Sequence, residues 1–123
     1  MKGRAAVVGI LTMLWALPLG AGEKMTMKVS PEVSFAPAHL VVRTMIVADA
    51  SNRAMEIVAE SPDFYRSSEI QLDGERAPRT AMFEFRSLPS GMYEVRATLI
   101  GDNGHARAFV RQQVNVVASG GAR

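Results

Sequence analysis

Leu88-Pro89-Ser90-Gly91-Met92-Tyr93-Glu94-Val95-Arg96-Ala97 joins a turn to an unbroken alternation of side chains. Pro89 presets the backbone for the first corner, and Gly91 can take a dihedral angle that a side chain resists. From there Tyr93, Val95, Ala97 and Leu99 share one parity while Glu94, Arg96 and Thr98 share the other. A period of two with one apolar parity predicts a strand with one face in a core and one in water.

Working outward, the same period recurs along the chain. Met25, Met27 and Val29 alternate with Thr26, Lys28 and Ser30; Met55, Ile57 and Ala59 alternate with Glu56, Val58 and Glu60; Phe83 and Phe85 alternate with Met82, Glu84 and Arg86. No window of about 11 residues gives an amphipathic helix. Turn-forming clusters separate the runs: Asp49-Ala50-Ser51-Asn52-Arg53, Ser61-Pro62-Asp63, Asp73-Gly74 and Gly101-Asp102-Asn103-Gly104. The reading is all-β, with about seven strands over 25–35 (broken by Pro31), 39–48, 54–60, 67–72, 79–87, 92–100 and 105–117.

Residues 24–117 therefore resemble a bacterial immunoglobulin-like or fibronectin type III-like domain, and the stretch 88–97 carries the resemblance. In such antiparallel sandwiches a Leu-Pro-x-Gly-x-Tyr-x-Val segment turns between two strands, and its tyrosine makes a corner with its ring in the core and its hydroxyl on nearby backbone. The resemblance assigns that structural corner to Pro89, Gly91 and Tyr93. The chain has no cysteine and its single Trp15 precedes the domain, so the antibody hallmarks are missing.

Residues 1–22 read differently. Lys2 and Arg4 precede an apolar run from Ala5 to Leu19, and Gly20-Ala21-Gly22 offers small residues to a peptidase. This is the pattern of a cleavable signal peptide, and the run is shorter than the ~20 residues of a spanning helix. The expected organisation is a signal peptide over 1–22, an immunoglobulin-like domain over 23–117 and a flexible tail over 118–123. The location it implies is periplasmic or secreted. Removing Lys2 and Arg4 turns 14 cations against 12 carboxylates into an even balance, so the sequence pI of 9.4 reflects the leader. A neutral domain lacks the excess charge that nucleic acid demands, and contact with the membrane is expected only through export.

The domain's surfaces then carry the functional reading. The strand over 39–48 is apolar on both parities, so with Leu40, Val42 and Ile46 inside, Val41, Met45 and Val47 join Met82 on an outer face. An apolar stripe of this kind marks a contact surface, unless the irregular segment between Pro31 and Pro37 lies over it. Phe109 shares the outward parity of Arg107 and Arg111, with Val58 as its expected neighbour; it is either an exposed anchor or turned inward by a bulge at Gln112-Gln113. Phe64, Tyr65 and Arg66 form an aromatic loop segment suited to a carbohydrate or a protein, with one ring expected inside and the other partly out. The loop oxygens of Asp49, Ser51, Asn52, Asp73, Glu75, Asp102 and Asn103 are read as turn chemistry, because none has the dense acidic spacing of a calcium loop.

Catalytic chemistry has little to build on. His39 and His105 begin different strands, which places them at opposite ends, and neither a Gly-rich phosphate loop nor a Gly-x-Ser-x-Gly elbow is present. Met25 and Met27 could serve Cu(I), but they are also the apolar face of the first strand. The expectation is an exported, non-catalytic interaction or accessory module with no cofactor or metal and a protein partner, homodimerisation remaining open. Carbohydrate or small-ligand binding is the alternative, with copper carriage behind it.

Overall fold

The computed structural model describes residues 24–119. The expected leader lies outside them, as do the last residues of the expected tail. The strands are β1 (Met25–Ser30), β2 (Val33–Phe35), β3 (Ala38–Ile46), β4 (Asn52–Ser61), β5 (Phe64–Gln71), β6 (Thr80–Leu88), β7 (Gly91–Gly101) and β8 (Ala106–Val117), with one 3-10 turn at Gly74–Arg76. They form a three-stranded sheet in the order β1-β3-β6 and a five-stranded sheet in the order β2-β8-β7-β4-β5. The two sheets face each other across a shared core as a β-sandwich.

The single first strand of the sequence reading is two strands in two sheets. β1 pairs antiparallel with β3, and past Pro31 the chain crosses to pair β2 parallel with β8. Proline supplies no N–H, so the first ladder is interrupted there and the chain is free to change sheets. The sandwich is consequently not wholly antiparallel. The expected loop over 61–66 is also shorter: Ser61 faces Phe64 across a turn at Pro62-Asp63, and Phe64 to Arg66 begin β5.

Between the sheets, Met25, Val29, Leu40, Val42, Phe83, Phe85 and Leu88 meet Met55, Ile57, Tyr93, Val95, Leu99 and Val114 in one core. This is the alternation read in the sequence for β1, β4, β6 and β7, with the apolar parity of those strands inside. Two long polar side chains cross the open sides of the sandwich. On one side the Gln112 amide accepts from the Val29 N–H and donates to the Val29 carbonyl, both at 3.2 Å. On the other, Arg66 Nη1 donates to the Arg86 carbonyl at 3.0 Å, its guanidinium 5.1 Å from the centre of the Phe64 ring.

Candidate interaction surfaces

The outer face of the three-stranded sheet is built from three cross-strand rows: Thr26, Met45 and Thr80; Lys28, Arg43 and Met82; Ser30, Val41 and Glu84. Met45, Val47 and Met82 are 51, 55 and 56% exposed. The segment between Pro31 and Pro37 does not lie over this stripe, because β2 belongs to the other sheet. A shallow groove runs between Lys28, Ser30, Val41, Arg43 and Met82, and a second depression holds Met45, Val47 and Arg79. Glu84 is the one carboxylate in the rows. Its Oε1 lies 2.9 Å from Arg86 and 3.8 Å from His39, and the Arg86 hydrogen bond holds it below the usual carboxylate range. Among the described residues no carboxylate pairs with Lys28, Arg43 or Arg79.

The outer face of the five-stranded sheet has a different character. Arg96 Nη1 bridges Glu94 at 2.9 Å and Glu60 at 3.0 Å, and these bonds raise its pKa further. Arg111 reaches Glu94 at 3.4 Å. Phe109 lies outward and about half exposed. No register shift occurs at Gln112-Gln113; the irregularity sits at Leu99/Ile100 instead. Phe109 faces Thr98 rather than Val58, which lies opposite Arg96 and is buried. Phe109 is therefore on the opposite side of the sandwich from Val41, Met45, Val47 and Met82, and the five residues do not make one surface.

A further apolar corner escaped the sequence reading. Val33, Phe35, Met92 and Val117 are exposed, and the register sets Phe35 beside Val117 and both Val33 and Met92 beside Asn115. The signal was present in Val33 and Phe35, but it could not be used without knowing which sheet that short segment joins.

Phe64, Tyr65 and Arg66 are separated by strand alternation. Phe64 packs against the core with its ring edge-on to Tyr93 at 6.2 Å, Tyr65 is exposed, and Arg66 is committed to the Arg86 carbonyl. They do not present a joint ligand loop. The corner residues do act together. Tyr93 is 1% exposed, and its hydroxyl donates to the Pro89 carbonyl at 2.7 Å. Burial pushes its pKa up. Gly91 has φ of 155°, and a Cβ there would stand 3.3 Å from Ser61, so this turn favours glycine.

At the opposite end the loop oxygens are engaged by the protein itself. Asp49 Oδ1 accepts from the Ser51 N–H at 2.8 Å and its hydroxyl at 2.7 Å, while Oδ2 accepts from Arg107 at 3.0 Å. The Ser51 bonds, then Arg107, hold the carboxyl low. Arg107 also donates to the buried Asn52 Oδ1 at 2.6 Å. Its stem lies against Gly101, where a Cβ would come within 2.8 Å. This clamp between β8 and the β3–β4 connection could not be read from sequence, where Arg107 is one more outward charge. His39 and His105 stand near opposite ends of the sandwich, beside Leu88 and Gly101 respectively. Met25 is buried and Met27 packs against the core. No group of three His, Asp or Glu side chains among the described residues is placed to hold a metal ion.

No family model matches the chain, and no curated protein matches it in sequence. Solved structures do match in fold. A superoxide reductase (neelaredoxin) from Ignicoccus hospitalis, E23A, aligns with a TM-score of 0.56 at 14% identity, covering 82% of this chain and 86% of that one. A family 76 glycoside hydrolase from a bovine Bacteroides thetaiotaomicron strain aligns over 75% of this chain but only 20% of its own, with a TM-score of 0.53 at 18% identity. Fibronectin(III)-like modules of Clostridium thermocellum CbhA align over 76% of this chain and 99% of theirs, with a TM-score of 0.45 at 11% identity. At these identities the likeness is one of architecture, and a sandwich hosts many unrelated functions.

Proposed function

We propose that the chain is an exported, non-catalytic interaction module that binds a protein partner through the outer face of its three-stranded sheet. The observation that carries this is the uncovered stripe of Met45, Val47 and Met82, each more than half exposed, with Met45 and Met82 on the regular surface of β3 and β6 and Val47 just past the end of β3. Apolar side chains clustered on a sheet face gain by being covered, and burying them on a partner supplies affinity without any reacting group. Methionine suits the task because its unbranched thioether adapts to the surface it meets. Residues 1–22 act as the address, and the domain works in the periplasm or outside the cell.

Two measurements test the reading. Mass spectrometry of the exported protein should give a mature chain beginning near Glu23; retention of Met1 would remove the export argument. Met45→Asp should leave stability within about 0.5 kcal/mol, as surface changes do, and should abolish copurification with the native envelope partner. A partner retained at wild-type yield would exclude this face.

A further inference from the structure

We infer that the partner presents an extended acidic segment in which carboxylates alternate with apolar side chains along one side, and that Lys28 and Arg43 receive those carboxylates while Met45 and Met82 receive the apolar groups. The inference rests on the interaction-module reading and adds the partner's chemistry. It starts from register: Lys28 and Arg43 are directly opposite one another on β1 and β3. Like charges in that relation oppose strand pairing, and among the described residues neither has a carboxylate to relieve it. Arg79 lines the adjoining depression with Met45 and Val47, and the face's own Glu84 is taken by Arg86. A formally neutral domain thus carries a net positive sheet face, and a carboxylate laid between Lys28 and Arg43 would relieve two repelling cations at once.

The apolar groups decide what kind of anion fits. Met82 completes the Lys28–Arg43 row and Met45 stands in the next, so charge and apolar surface alternate along β3 across the groove and the adjoining depression. Strand positions two apart lie roughly 6.6 Å from each other, the repeat of an extended segment bearing every second side chain on one side. Single-stranded nucleic acid would call for aromatic stacking, and a lipid surface for Trp, Phe or Leu. The rows of this face contain none of these. A second copy could offer Glu56 and Glu69, which are opposite one another on the five-stranded sheet. Their row continues through Thr98 to the outward Phe109, so a second copy is the competing occupant, and sedimentation as a dimer is the outcome that would reveal it.

The test uses the mature chain, isotope-labelled, titrated with a short peptide of Glu-Ser-Val-Ser repeats, which when extended sets glutamate and valine alternately along one side, and with its Lys-Ser-Val-Ser counterpart. The acidic peptide should shift amides in 26–30, 41–47 and 80–84, and the lysine peptide should shift none. The double variant Lys28→Gln, Arg43→Gln should melt no lower than wild type, since it removes a cross-strand repulsion, and should weaken binding by about tenfold or more. Raising salt from about 0.05 to about 0.3 M should weaken it too. The proposal is overturned by equal binding of the two peptides or by no binding of the acidic one. It is overturned equally by shifts on another face, by unchanged affinity in the double variant, by competition from phosphatidylglycerol vesicles, or by sedimentation as a dimer. If the native partner is lost with Met45→Asp but held at full strength by the double variant, the acidic chemistry fails while the interaction-module reading stands.

Discussion

Tyr93 shows how one side chain serves both the core and the turn. Its ring is buried between the sheets and its hydroxyl closes the turn through the Pro89 carbonyl. Tyr93→Phe keeps the ring and leaves that carbonyl without its donor, so at pH 7 it should cost about 1 kcal/mol. The same burial raises the phenol pKa, which means that the unfolded chain ionises first. Stability from this group is complete below about pH 10, the ordinary phenol value, and falls as pH rises beyond it, at up to about 1.4 kcal/mol per pH unit. The gap between the denaturant midpoints of wild type and Tyr93→Phe should therefore narrow as pH rises above about 10; a gap that stays constant would show that the hydroxyl is not buried. Asp49 works in the opposite direction. Its carboxyl is held low by Ser51 and Arg107, so its contribution is complete above about pH 3.9 and is lost as pH falls through the lowered value. In Asp49→Asn the part of the acid limb due to this group should vanish, which urea midpoints measured from pH 5 down to about 2 would reveal.

Strands with strict alternation are legible because burial on one side is enough to define them. β7, β4 and β6 follow directly from Tyr93 to Leu99, Met55 to Ala59 and Phe83 to Phe85. The first strand is less legible, since Pro31 announces a break without saying that the chain changes sheets. β5 starts three residues early for a related reason: Phe64 and Tyr65 look like loop aromatics until pairing with β4 gives them opposite faces. The stripe of Val41, Met45 and Val47 could be seen from a strand apolar on both parities, whereas the Lys28–Arg43 pair needs the register between strands that are distant in sequence. Gln112 belongs to the same class. At a core-parity position of β8 it stands in for a peptide unit, meeting both polar groups of Val29. Gln112→Ala should destabilise the domain by about 1–3 kcal/mol, because it orphans a donor and an acceptor, and should speed hydrogen exchange at Val29 above that of its β1 neighbours. Gln112→Glu can still accept from the Val29 N–H, but at neutral pH it sets a carboxylate against the Val29 carbonyl. Its stability should improve relative to wild type as pH falls through the carboxylate range, and a flat difference would show that the amide is not the link.

At the scale of the whole molecule, the two sheets have different surfaces but one interior. The outward faces divide the work, with cations and methionines on three strands and paired charges on the other five. Inward, the sheets share a core that neither could build alone, and the chain holds them together without a cysteine. Gln112 and Arg66 close the two open sides, so neither sheet has an obvious route to opening by itself. Cooperative unfolding of both sheets follows. Leu40 tests it, because it is fully buried on β3 and belongs to the three-stranded sheet alone. Leu40→Ala should cost about 2–5 kcal/mol through lost contacts and the cavity left behind, lowering Tm by about 4–8 °C for each kcal/mol. If the core is one cooperative unit, slow-exchanging amides of Ile57 and Val95 in the five-stranded sheet should lose as much protection as those of Val42 and Phe85 beside the cavity. Protection retained at Ile57 and Val95 would mean that the five-stranded sheet survives opening of its partner. The binding face would then be the less stable half of the molecule, open to remodelling when a partner docks.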